Sequence, residues 1–305
     1  MHVLFKPGFF SNVPVRHALV LGAIVALVSG VVGVMTVVRS QSFAGHALTD
    51  VATTGGAGAA YVGVSPLAGF LGGAVAGAGA MEFIGVQRAR QRDIATGIVL
   101  GAATGLSALF LYLNATSSAT TGVTQQVLFG SIFTVDSSTI TVTALTGVIV
   151  LLVLAVVWRP LLLASLSAEM AAALGTRVRL VGAAFIVSMA VAVGLSSIAV
   201  GSILSTALLI GPAATALRLT RSLRAAIVTS CALGVVATWA GILCAYDSYD
   251  WDPSSHGLPV SSFIVGIVVL LYGISGLPGL RRRAHARNRD VLRTHDAHHA
   301  MPGSA

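Results

Sequence analysis

The sequence predicts an all-α fold, a polytopic membrane helical bundle of about eight or nine transmembrane helices. Three observations carry this. Of 305 residues, 55% are hydrophobic and only 9% are charged, whereas soluble domains average about 25% charged residues. Apolar runs of about 18 residues or more, each long enough to cross a bilayer, recur along the whole length. None shows strand-like alternation, and a helix satisfies its own backbone within the membrane. Residues 1–280 read as one transmembrane domain, and 281–305 as a basic, His-containing cytoplasmic tail expected to be disordered. No connection is long enough to hold a soluble domain.

Nine apolar segments follow in order, at roughly 15–38, 43–63, 66–85, 94–113, 139–158, 178–195, 198–217, 225–245 and 260–279. The first lacks a basic start and feeds straight into the second, so it is not expected to be a cleaved signal. The second opens on a polar stripe. Ser42, His46 and Asp50 are spaced i, i+4, i+8 and share one helical face, continued by Thr53 and Thr54. An ionisable pair inside a membrane helix should face a pathway or a partner. Imidazole and carboxylate together suit zinc, manganese or iron. The same two groups could also simply tie two helices together, and spacing alone leaves both readings open.

The third segment carries Gly69, Gly73 and Gly77 at four-residue spacing, and the second carries Gly55, Gly56, Gly58 and Gly63. Small residues in this pattern let membrane helices approach closely. Glu82, near the end of the third segment, reads as an interfacial salt-bridge residue. Between the fourth and fifth segments lies an external loop with Asn114 and QQVLFGSIFTVDSSTI. Arg159-Pro160 is expected to end the fifth segment. LLLASLSAEMAAALGTRVR then reads as a short cytoplasmic helix closed by Gly175. The seventh segment begins with small and polar residues and contains Gly211-Pro212, so a broken or re-entrant path is expected there. Cys231 and Cys244 sit in the eighth segment, far from metal-binding spacing, and read as ordinary buried thiols.

Nine crossings with the carboxyl terminus inside sort the charge. Arg39, Arg88, Arg90, Arg92, Arg159, Arg177, Arg179, Arg218, Arg221, Arg224 and six tail arginines fall on one side, 16 of the 18 basic residues. Lys6 and Arg16 fall on the other. That fixes the orientation by the positive-inside rule. The net charge of +8 thus reflects topology, and no nucleic-acid partner is implied. An external loop with Asp247, Asp250, Asp252 and His256 forms an acidic rim that could attract cations or a partner. The tail holds His295, Asp296, His298 and His299, which read as part of a solvated segment.

A phosphate-binding GK[ST] loop needs a lysine, and Lys6 is the only one. No HExxH is present, and Gly56-Ala57-Gly58 does not continue into GxGxxG, because Tyr61 occupies the third glycine's place. No histidine lies between Ser196 and His256 to serve a hydrolase nucleophile at Gly194-Leu195-Ser196. The chain therefore cannot hydrolyse nucleotide through a GK[ST] loop. The energy for a transporter is most simply supplied by another subunit, so no enzyme activity is expected of this chain. One rival is an ATP-independent secondary transporter or channel, and a second is a membrane scaffold in which His46 and Asp50 merely hold helices together.

Several stretches together resemble the membrane permease of bacterial ABC importers for zinc, manganese or iron. RSQSFAGHALTD (39–50) is similar to that family's R-x-x-S-[FL]-x-G-D-A-L-S-H, with the His and Asp in reversed order. FGSIFTVDSST (129–139) is similar to FG-x-[IL]-x-x-V. SLSAEMAAALGTRVR (165–179) is similar to S-F-D-x-E-x-A-x-x-x-G, with Ser167 where the family has Asp. VGSILSTALLIGPAATALRLTRS (200–222) resembles the long VG-x-L-L-x-x-A-L-L-[IV]-x-P-A-A-T-A run. The resemblance implies a plasma-membrane permease, usually a homodimer, with no permanent cofactor. It implies partners in a cytosolic ATP-binding subunit and an extracellular metal-binding protein. His46 and Asp50 would contact the transported ion. Glu169, Ala171 and Gly175 would belong to the helix that couples to the ATPase. Neutral His46 is needed for metal, so transport is expected to fall as pH drops through about 6–7, where an ordinary His titrates.

Overall fold

The computed structural model describes residues 12–83, 89–117, 122–130, 132–248 and 258–276. They form α1 (Val13–Val38), α2 (Ser42–Tyr61), α3 (Pro66–Phe83), α4 (Ala89–Ser117), α5 (Gly122–Phe129) and α6 (Ser137–Leu166). Then come α7 (Ala168–Ala173), α8 (Val178–Val200), α9 (Ser202–Leu219), α10 (Leu223–Asp247) and α11 (Val260–Gly276). The described residues contain no strand. Nine of these helices coincide with the nine apolar segments, and six meet both the length and the hydropathy needed to cross a membrane. This is a helical membrane bundle. Asp250, Asp252, His256, Lys6, Arg88 and the tail from 281 onward lie outside the described residues.

Burial sorts the helices into centre and rim. About two thirds or more of the apolar window is buried in α1 (67%) and α8 (72%), against 17% in α4 and 22% in α6. The bundle is therefore built around α1 and α8, while α4 and α6 present apolar faces outward. The glycine spacing of α2 and α3 has the expected consequence. A Cβ on Gly73 would lie 2.8 Å from the Val51 carbonyl oxygen, and one on Gly77 2.8 Å from the Val51 side chain. The two backbones touch because side chains are missing there.

Three expectations are corrected. Arg159-Pro160 does not end a helix: α6 runs on to Leu166 with Pro160 inside it. Proline removes only one backbone donor, and a neighbouring side chain can serve the turn that follows. The short cytoplasmic helix is consequently only α7, six residues capped by Ser167, whose hydroxyl accepts from the Met170 N–H at 3.2 Å. The stretch before Gly130 is not plain loop but the eight-residue helix α5.

The seventh segment is a continuous helix through Gly211-Pro212, yet it starts deep. Ser29 bonds Ser196 at 2.9 Å and the Thr36 hydroxyl bonds the Met189 sulfur at 3.4 Å. This antiparallel register sets Val200 opposite Val25, halfway along α1. The joint between α8 and α9 is the single residue Gly201, at φ +88. Against it lies Gly130, at φ +83, which ends α5. A Cβ on Gly201 would sit 2.6 Å from the Gly130 nitrogen, and one on Gly130 2.6 Å from the Ala199 carbonyl oxygen. Only glycine accepts both the left-handed conformation and this approach. Above the pair opens a cavity of about 670 Å³ lined by Gln125, Gln126, Phe133, Thr134, Ala199 and Leu258, among others.

Candidate metal-transfer site

His46 and Asp50 stand one turn apart on the first half of α2, which packs between α4 on one side and α9 on the other. His46 is exposed on this chain and Asp50 half-buried, while Ala47, Leu48 and Thr49 behind them are fully covered. The pair thus edges a face that the rest of the chain leaves open. Thr53 departs from the expected stripe: it is buried, and its hydroxyl donates to the Thr49 carbonyl at 2.8 Å. Thr54 turns to α4, bonding the Ser107 hydroxyl at 2.8 Å.

Each of the two ionisable groups is held by a hydroxyl from another helix. The Thr104 hydroxyl of α4 donates to Asp50 Oδ2 at 2.6 Å. The carboxylate accepts this bond, which orients the group. The Asp50 backbone carbonyl also accepts from Ser107, at 3.3 Å.

His46 Nδ1 lies 3.3 Å from the Thr206 hydroxyl of α9, and Thr206 lies 3.1 Å from the Thr49 hydroxyl. Thr49 donates to the Gly45 carbonyl at 3.1 Å. One order of donation satisfies all three contacts. Thr49 spends its hydrogen on Gly45, Thr206 donates to Thr49, and the Thr206 oxygen accepts from His46 Nδ1–H. That tautomer leaves the Nε2 lone pair outward, the form in which imidazole binds metal.

Among the described residues, no group of three or more His, Cys, Asp or Glu comes together. His46 and Asp50 alone would give an ion one nitrogen and one carboxylate, where zinc, manganese or iron take about four to six ligands. Thr104, Ser107 and Thr206 were not singled out in the sequence. Isolated hydroxyls in apolar spans were the available signal, but only the fold shows which of them meet the pair.

The other expected site lies far along the chain. Glu169 is exposed in the first turn of α7, Ala171 is fully buried beneath it, and Gly175 follows at φ +80. Its N–H bonds the Ala172 carbonyl and the Thr176 N–H bonds the Ala171 carbonyl, both at 2.9 Å, closing the helix as a glycine-terminated turn. Leu166, Met170 and Leu174, four apart, are 87%, 60% and 68% exposed. All three are large apolar side chains that the rest of the chain leaves uncovered. Nearby, Glu82 pairs with Arg179 at 3.1 Å, joining the ends of α3 and α8. Glu82 is thus an ion-pair residue, as expected, but its partner here is Arg179, while Arg88, the neighbour within reach by sequence, lies outside the described residues.

The chain is 30% identical over 245 residues to the manganese transport system membrane protein MntC of Listeria monocytogenes, covering 80% of this chain and 86% of that protein. It is 28% identical over 283 residues to the manganese import system permease protein ScaB of Streptococcus parasanguinis, covering 92% and 95%. The solved structure of PsaBC from Streptococcus pneumoniae in complex with Fab matches with a TM-score of 0.74 at 24% identity, over 88% of this chain and 93% of that one. These two chains share a fold. The model of the ABC 3 transport family matches residues 13–274, and the chain belongs to that family.

Proposed function

We propose that this chain is the membrane permease of an ATP-driven importer of a divalent transition metal, manganese before zinc or iron, and that His46 and Asp50 contact the ion in transit. The observation that carries it is the pair itself: an oriented imidazole and an oriented carboxylate on one open face of α2. The relatives named for manganese transport favour that metal among the three.

Two ligands are too few for tight retention, which suits a transfer site, and a second permease copy facing the first would double them. A homodimer about that face is the simplest assembly. The arginine-bearing end is cytoplasmic in a bacterial plasma membrane. There α7, with Glu169, Ala171 and Gly175, meets an ATP-binding subunit through the exposed side chains of Leu166, Met170 and Leu174. An extracellular binding protein delivers the ion at the opposite face. Closure of the motor switches access, and the ion leaves when the two α2 helices change their spacing.

The test is manganese uptake by the permease reconstituted with its ATP-binding subunit in proteoliposomes. His46→Ala and Asp50→Ala should each abolish uptake while the complex still assembles and hydrolyses ATP. Zinc and iron should compete less well than unlabelled manganese. Undiminished uptake in His46→Ala, or uptake by the permease with no ATP-binding subunit, would overturn the proposal.

A further inference from the structure

We infer that Arg39 is the positioning residue that ties movement of α7 to the helix bearing His46 and Asp50. The inference rests on the proposed function, since it takes α7 as the segment the motor moves.

The connection begins at α7. One residue, Ser167, in extended conformation (φ −154, ψ 115), joins α7 to the end of α6. A push on α7 is therefore delivered to the last turn and a half of α6. That piece follows Pro160, which cannot donate a backbone bond to the preceding turn, so it is the natural place for α6 to bend. Arg39 clasps this piece. Its Nη1 donates to the Ser165 hydroxyl at 2.9 Å and to the Leu161 carbonyl at 3.5 Å. Ser165 itself donates to the same Leu161 carbonyl at 2.6 Å, so the three groups form one small network. The guanidinium also lies 5.4 Å from the ring centroid of Phe185 on α8, a cation–π distance.

At its backbone, Arg39 is the first of three residues between α1 and α2. The next, Ser40, has φ +54, the only positive φ among the described non-glycine residues. A residue with a side chain rarely adopts that conformation, and such strain persists only where the surroundings enforce it. Gln41 follows, and its N–H bonds the Thr36 carbonyl at 2.9 Å. Then α2 begins, with His46 in its second turn. A rigid planar fork thus joins the bendable end of α6 to a strained, three-residue joint at the root of the metal stripe. Displacing the α6 end must either break the fork's bonds or carry the start of α2 with it.

The experiment reads manganese taken up per ATP hydrolysed by the reconstituted full-length complex, together with manganese binding at rest. Arg39→Gln removes the charge and the fork. It should keep resting manganese affinity and ATP hydrolysis near wild type while uptake per ATP falls at least about tenfold, within the range of site-to-site coupling. Arg39→Lys should recover part of the ratio. Ser165→Ala, altered on the far side of the contact, should lower it in the same direction by less. A merely structural role would depress hydrolysis, assembly and uptake in proportion and leave the ratio unmoved, which would sink the inference. If Arg39→Gln does not assemble, Arg39→Lys and Ser165→Ala decide on the same ratio, and a wild-type value in both overturns the idea. Failure of the underlying function looks different: the wild-type complex would show no ATP-dependent uptake at all.

Discussion

Thr104 on α4 directs its hydroxyl onto Asp50 Oδ2 of α2 at 2.6 Å. The bond crosses 54 residues of chain and fixes one oxygen of a half-buried carboxylate. Removing this hydroxyl without changing side-chain volume is the cleanest perturbation of the carboxylate. Thr104→Val should weaken manganese binding by about 10–100-fold, the usual effect of losing a group that orients a metal ligand. Thr104→Ser should restore most of it. Equilibrium manganese binding to the purified permease measures both.

Thr206 plays the matching part for the imidazole. Thr206→Val leaves His46 Nδ1–H without its acceptor, and the ring can then turn or exchange tautomers. Manganese affinity should fall about tenfold or more, and Thr206→Ser should keep the wild-type value. If Nδ1 were itself the ligand, freeing it in Thr206→Val would raise affinity instead.

Ser167 caps α7 through the Met170 N–H. Ser167→Ala should cost the helix about 1 kcal/mol, and α7 has only six residues over which to absorb it. Limited proteolysis between 160 and 180 should accelerate. Ser167→Asp, the residue of the family pattern, should cap equally well and leave proteolysis unchanged.

The glycine joint makes a paired prediction about stability. Gly201→Ala meets both a left-handed backbone and the Phe129–Gly130 peptide within 2.6 Å, and should destabilise by several kcal/mol. Gly182→Ala, in α8 with nothing within 4 Å of a new Cβ, should be neutral or stabilise by up to about 1 kcal/mol. Thermal unfolding of the detergent-solubilised permease compares the two.

Much of this architecture could be read from the chain. The apolar runs placed nine helices because lipid demands the same composition over the same length, whatever surrounds it. The Gly69-Gly73-Gly77 spacing announced a close contact, and Gly175 announced the end of α7, because both depend on missing side chains. His46 and Asp50 were visible because ionisable groups are rare in such helices. What could not be read is what depends on distant neighbours. Pro160 looks like a stop until Arg39 is seen bracing the turn beyond it. Gly130 and Gly201 each mark a motif, but nothing local says that they touch. Thr104 and Thr206 are ordinary hydroxyls in sequence, and they gain meaning only from being opposite the two groups of α2.

The halfway position of Gly201 has a consequence for how the chain enters the bilayer. Gly201 itself is paired, its N–H to the Ser197 carbonyl and its carbonyl to the Ser205 N–H. The helix ends that meet there still need cover, because hydrocarbon costs several kcal/mol for each peptide group left unsatisfied. The α8–α9 pair therefore cannot settle as two independent spans released one after the other. The short helix α5, whose closing Gly130 abuts Gly201, covers the apex. Stable residence of the hairpin thus relies on that cover, and a chain deleted for 122–136 should be handed to quality-control proteases.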